Sequence, residues 1–103
     1  MPRNISSAFS TDLTDGRVIV TTAGTRVQLS ATSSYAGTVE IVAETDNTGI
    51  ITVGGATVVG ALATRRGAPL NAADNLTLSN VDLTEIYLDS TVSGDGVTYL
   101  VIA

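Results

Sequence analysis

The sequence predicts an all-β fold: a single antiparallel β-sandwich or jelly-roll-like barrel of about seven to eight short strands, preceded by an N-terminal arm. Apolar and polar residues alternate with a period of two from Arg17 onward. Val, Ile and Thr, which fit a pleated and half-buried surface, fill these runs. Turn-forming Gly, Asn and Asp separate them at short intervals. The 103 residues suit one domain.

Residues 1–16 stand apart from this pattern. Ile5, Phe9 and Leu13 recur at i, i+4 and i+8, with Asn4 placed as an N-cap and Gly16 as a stop. So short a helix is marginal alone in water, so the segment reads either as a frayed arm or as an arm that orders only against a neighbouring subunit. Residues 17–103 are assigned to the β-domain. Residues 17–22 form a first β-branched run, and Ala23-Gly24 reads as a tight hairpin link into a strand over 24–31. In 38–44, Val39, Ile41 and Ala43 point one way and Glu40 and Glu44 the other; Val42 breaks the polar face, so a cover over it is expected. A polar turn at 46–49 leads to a strand over 50–53, and Gly54-Gly55 marks a bulge or bend. Residues 56–63 suit a weak strand or one helical turn. Residues 65–75 read as a loop, because Pro69 disfavours a central strand. Short alternations follow at 76–78 and 86–88. The polar loop 93–96 then joins the runs of 84–103 as a sheet-closing hairpin, with Ile86, Leu88, Val97, Tyr99 and Val101 in the core. Strand-like final residues are expected to pair inside a sheet, with nothing appended beyond them.

Composition narrows the function. The formal charge is −5, and the five cations are all Arg, with Arg65-Arg66 the one basic cluster. An acidic surface repels phosphate, so neither nucleic acid nor an anionic membrane is an expected partner. The N-terminal residues lack a continuous apolar stretch, so no secretory signal is expected and synthesis is assigned to the cytoplasm. With no Cys and no His, thiol chemistry, disulfides and the commonest metal ligand and general base are missing. No nucleophile elbow occurs. Asp46-Asn47-Thr48-Gly49 resembles the Asp-Thr-Gly of dimeric aspartic proteases, but an amide stands where the carboxylate belongs. Asp46, Asp74, Asp82, Asp89 and Asp95 are scattered among turns without calcium-loop spacing, as expected of side chains that bond nearby backbone. No catalytic residue, cofactor or metal is therefore expected, and the protein is not expected to be an enzyme.

Five blocks carry a resemblance: Val-Gln-Leu-Ser (27–30), Asn-Thr-Gly-Ile-Ile-Thr-Val-Gly (47–54), Gly-Ala-Pro-Leu (67–70), Val-Asp-Leu-Thr-Glu-Ile-Tyr-Leu-Asp (81–89) and Gly-Asp-Gly-Val-Thr-Tyr (94–99). In this order they resemble small virion structural proteins of tailed bacteriophages, of the capsid decoration or cement type. The resemblance departs at Asn71-Ala72-Ala73-Asp74 and leaves out residues 4–16. It implies a non-enzymatic protein on the capsid exterior that binds the major capsid protein and itself, as a homotrimer, and stabilises the shell. Ile5, Phe9, Leu13, Arg65 and Arg66 are the expected partner contacts. The alternative is a tail or fibre domain that binds host-surface glycans through Tyr35 or Tyr87.

Overall fold

The alternation in the sequence becomes an inside and an outside in the computed structural model, which describes residues 13–102. Eight strands form: β1 (Leu13–Ile19), β2 (Val27–Gln28), β3 (Tyr35–Ala43), β4 (Ile51–Gly54), β5 (Ala68–Leu70), β6 (Asn75–Asp82), β7 (Tyr87–Ser90) and β8 (Gly96–Ile102). They build two four-stranded antiparallel sheets, ordered β1-β8-β3-β6 and β2-β7-β4-β5. Val39, Ile41, Ala43, Val97 and Val101 of the first sheet meet Ile51, Val53, Leu70 and Leu88 of the second in one core, joined by Val20, Leu29, Leu83 and Ile86. Each Val, Ile or Leu fully buried there contributes about 1.5–3 kcal/mol. Tyr99 packs against this core too, so every core residue expected from the C-terminal segment is in place.

The pairing has a simple rule. β4 pairs with β5, β3 with β6, β2 with β7 and β1 with β8. The chain is thus doubled back on itself at the β4–β5 connection, and the doubled ribbon is wound so that successive pairs fall in opposite sheets. This is the jelly-roll winding.

The winding corrects several local expectations. Leu13 to Gly16 do not belong to a helical arm; they pair with Ile102 to Tyr99, and β1 begins at Leu13 because it has β8 to bond to. Ile5 and Phe9 lie outside the described residues. Ala23-Gly24 and 93–96 are not hairpin turns but arches between sheets, since β1 and β8 lie in one sheet and β2 and β7 in the other. Gly24 and Gly94 supply the positive φ (89° and 95°) that such reversals need. The strand expected over 24–31 shortens to Val27–Gln28. The expected loop 65–75 contains β5, whose Pro69 sits on an edge strand, where a missing N–H costs no ladder bond.

The two outer faces differ. On the second sheet, Thr52 and Asp89 alternate away from the core yet are buried, because the β4–β5 connection folds back over them. Val58 of that connection is buried, and Arg26 grips it by donating from Nε to the Val58 carbonyl (3.0 Å) and from Nη1 to that of Ala56 (3.1 Å). Of the weak strand or single helical turn expected over 56–63, the structure has an isolated bridge between Val59 and Arg66 and a 3₁₀ turn, Leu62–Thr64, that overlaps only the end of the stretch. The first sheet has no such cover among the described residues.

Two substitutions test this packing. A methyl at Gly96 stands 2.5 Å from the Val18 carbonyl oxygen, which is backbone, and 2.5 Å from Ile19 Cδ1. Gly96→Ala is expected to cost about 1–3 kcal/mol in urea unfolding, while Gly55→Ala, with open space around it, stays within about 0.5 kcal/mol of the parent. Equal effects at both positions contradict the close approach of β1 and β8. Thr52 Oγ1 is buried with no hydrogen-bond partner, so Thr52→Val should be neutral or stabilise by up to about 1 kcal/mol. A clear loss of stability contradicts that orphaned hydroxyl.

Candidate functional site

Carboxylates do most of the polar work between loops. Asp89, buried on β7, accepts from the backbone N–H of Gly24 and Ser90 at Oδ1 (3.0 and 2.8 Å) and from that of Gly60 at Oδ2 (2.8 Å). It thereby ties the β1–β2 arch and the β4–β5 connection to the second sheet. Asp95, buried in the β7–β8 arch, accepts from Thr48 N–H (3.2 Å) and Gly49 N–H (2.8 Å) of the β3–β4 arch. Asn47 completes that joint by donating to the Gly96 carbonyl and accepting from the Gly96 N–H, both at 2.9 Å. The segment that resembles a protease signature is thus a structural clasp, with its amide both donating to and accepting from Gly96. Asp74 accepts from Asn71 N–H (2.9 Å) within the β5–β6 arch.

Asp82 serves the opposite end. It caps the 3₁₀ turn Leu83–Glu85 by accepting from Thr84 N–H (2.9 Å) and Thr84 Oγ1 (2.8 Å). It also accepts from the Ser33 hydroxyl and from Ser34 N–H (3.3 Å) of the β2–β3 arch. These donors, the Ser33 hydroxyl foremost and then the two Thr84 groups, hold its carboxyl well below the usual carboxylate range. Among the described residues, no group of three or more His, Cys, Asp or Glu is arranged to hold a metal ion, and no helix is long and apolar enough to cross a membrane.

The remaining surface of interest is the outer face of the first sheet. Register places Leu13, Ile102, Thr38 and Ser79 in one row across β1, β8, β3 and β6. The next row is Asp15, Leu100, Glu40 and Thr77; the third is Arg17, Thr98, Val42 and Asn75. Leu13, Leu100 and Ile102 are 65%, 39% and 44% exposed, a cluster that a solvated sheet face ordinarily replaces with polar side chains. Two adjoining shallow depressions, of about 490 and 410 Å³, run along this face and share Arg17, Val42 and Thr98. Arg17 donates from Nε and Nη2 to the Glu44 carboxylate at the far end, and this partner raises the guanidinium pKa. Asp15, Glu40 and Asp46 complete an acidic border.

The expected contact residues do not converge on one place. Leu13 stands at the corner of the open face, whereas Arg65 and Arg66 belong to the connection that covers the second sheet. Arg65 donates from Nε to the Gly60 carbonyl (3.1 Å), and Arg66 exchanges backbone bonds with Val59 and is exposed. Tyr35 presents an exposed ring, with its hydroxyl donating to Asn80 Oδ1, and Tyr87 is half-buried. Leu100 and Ile102 had a sequence signal: from Tyr99 to Ile102 every residue is apolar, so one parity of the strand had to face outward. No protein-family model matches this chain, and no match is found among curated proteins or solved structures.

Acid titration tests the Asp82 joint. Its carboxylate is bonded only in the folded chain, so its contribution is full above the ordinary value of 3.8 and is lost as the pH falls below it. Asp82→Asn should be less stable than the parent at neutral pH but lose less stability between about pH 4 and 2. Parallel curves contradict the assignment. At the other joint, Asp89→Ala strands the buried N–H groups of Gly60 and Ser90 and the part-buried one of Gly24, and should cost about 3 kcal/mol or more in chemical unfolding. A cost under about 1 kcal/mol contradicts its role.

Proposed function

We propose that this chain is a non-enzymatic structural protein of a tailed-phage virion, binding the capsid exterior through the outer face of the first sheet and stabilising the shell. The observation that carries this reading is the open face itself: Leu13, Leu100 and Ile102 exposed beside Val42, within an acidic border, while the opposite sheet is covered. Its chemistry suits a coat-protein surface that brings apolar side chains flanked by Lys or Arg. The jelly-roll winding supports the reading by analogy, since it recurs in viral capsid domains, although one fold hosts many functions. The ordered sequence blocks described above point the same way. Binding the assembled shell and not its free subunits stabilises the shell by linkage, so many copies with modest individual affinity suffice.

The test uses capsids assembled from the coat protein of the same genome, stripped of small surface proteins and sedimented with added full-length chain. Leu100→Asp combined with Ile102→Asp should lower bound protein roughly tenfold or more while the circular dichroism of the β-domain persists. Undiminished occupancy by the folded variant contradicts the proposed face. Absence of binding by the parent chain contradicts the virion reading.

Tyr35 favours a second reading, a tail or fibre domain for host glycans, because an exposed ring can stack on a sugar. Glycan binding that is lost in Tyr35→Ala and kept in the open-face variant selects it over the first.

A further inference from the structure

We propose that β1 is a self-complementary edge through which two copies of this chain join their first sheets about a two-fold axis at Gly16. The proposal does not depend on the virion reading. β1 is the outermost strand of its sheet and pairs only with β8 among the described residues. Val20, which continues the strand, turns both backbone groups toward the β8 side: its N–H donates to the Asp95 carbonyl (2.9 Å) and its carbonyl accepts from Gly94 N–H (2.8 Å). By the alternation of an antiparallel ladder, Leu13, Asp15, Arg17 and Ile19 turn theirs to the open edge. A seven-residue edge of this kind is a template for another strand unless something blunts it. β1 contains no Pro, and its charges are one of each sign.

A two-fold axis at Gly16 sets Asp15 opposite Arg17 of the second copy, and Arg17 opposite the second Asp15. It likewise sets Leu13 opposite Ile19. All four residues lie on the outer face, as their pairing with Ile102, Leu100, Thr98 and Gly96 requires. Every outward position therefore meets its complement, charge to opposite charge and apolar to apolar. The neighbouring two-fold registers fail. Shifting the axis to residue 15 puts Asp15 against Asp15, and shifting it to residue 17 puts Arg17 against Arg17. Arg17 can serve both partners, because Glu44 engages only Nε and Nη2 and the side chain is 61% exposed. Asp15 makes no side-chain hydrogen bond among the described residues. The contact is isologous, so it closes at two copies, not the three implied by the family resemblance. It also makes one eight-stranded sheet whose open faces run together.

Native mass spectrometry and sedimentation equilibrium of the full chain test this. The parent should show twice the 10.5 kDa monomer mass. Asp15→Arg and Arg17→Asp should each weaken dimerisation by roughly tenfold or more, and mixing the two variants should restore it as a heterodimer. Should Arg17→Asp not fold after losing Glu44, register is read instead from the double variant Thr14→Cys with Val18→Cys. Those positions face each other only between copies, and the chain has no other Cys. Oxidation should give a dimer on a non-reducing gel. A monomeric or trimeric parent, an Asp15→Arg variant as dimeric as the parent, or cysteines that do not cross-link would each overturn the proposal.

Discussion

The structure depends on buried carboxylates that accept backbone N–H groups from neighbouring arches. A jelly roll crosses between its sheets at nearly every connection, and each crossing leaves backbone donors with no ladder to join. Asp89 and Asp95 take up three of them, at Gly24, Thr48 and Gly49, and Asp89 also bonds Gly60 of the β4–β5 connection and Ser90 of β7. Asp82 does the same at the other end of the sandwich, with hydroxyl donors added. In a chain with one Phe, no Trp, no Cys and no Lys, heavy rings, disulfides and lysine bridges are not on hand to fasten loops. The acidity of the chain is, at these positions, internal fastening.

That fastening has an asymmetric result. Asp89 and Arg26 draw the β4–β5 connection over the second sheet, so Thr52, Val58 and Asp89 are buried outside the main core layer. Nothing comparable reaches the first sheet among the described residues, and its central strand β8 presents Leu100 and Ile102 outward. One face is therefore finished and the other is open. The surface proposed for a partner and the edge proposed for a second copy adjoin along β1, where Leu13 belongs to both.

Strand existence was legible where alternation was strong. The alternation of Val39, Ile41 and Ala43 and the terminal run from Val97 became strands with the expected inward residues, and the run 50–53 became β4. Connectivity was not legible, for a physical reason. Gly24 and Gly94 supply the same positive φ whether a turn closes a hairpin or carries the chain to the opposite sheet, and only the distant partner strand decides between them. The same limit hid β5: Pro69 rightly excluded a central strand, but an edge needs the rest of the sheet to exist. Val42 broke the polar parity of β3, but the cover expected over it is not found among the described residues. Leu100 and Ile102 have the opposite parity to the expected core residues Val97, Tyr99 and Val101, and no role was assigned to them.

Native-state hydrogen exchange resolved by residue is the most direct measurement of this account. If the carboxylates hold the arches, the amides of Gly24, Thr48, Gly49, Gly60 and Ser90 exchange as slowly as neighbouring ladder amides, although all but Ser90 lie outside the strands. Exchange of these arch amides at the rate of open loops, with the ladders still protected, would contradict it.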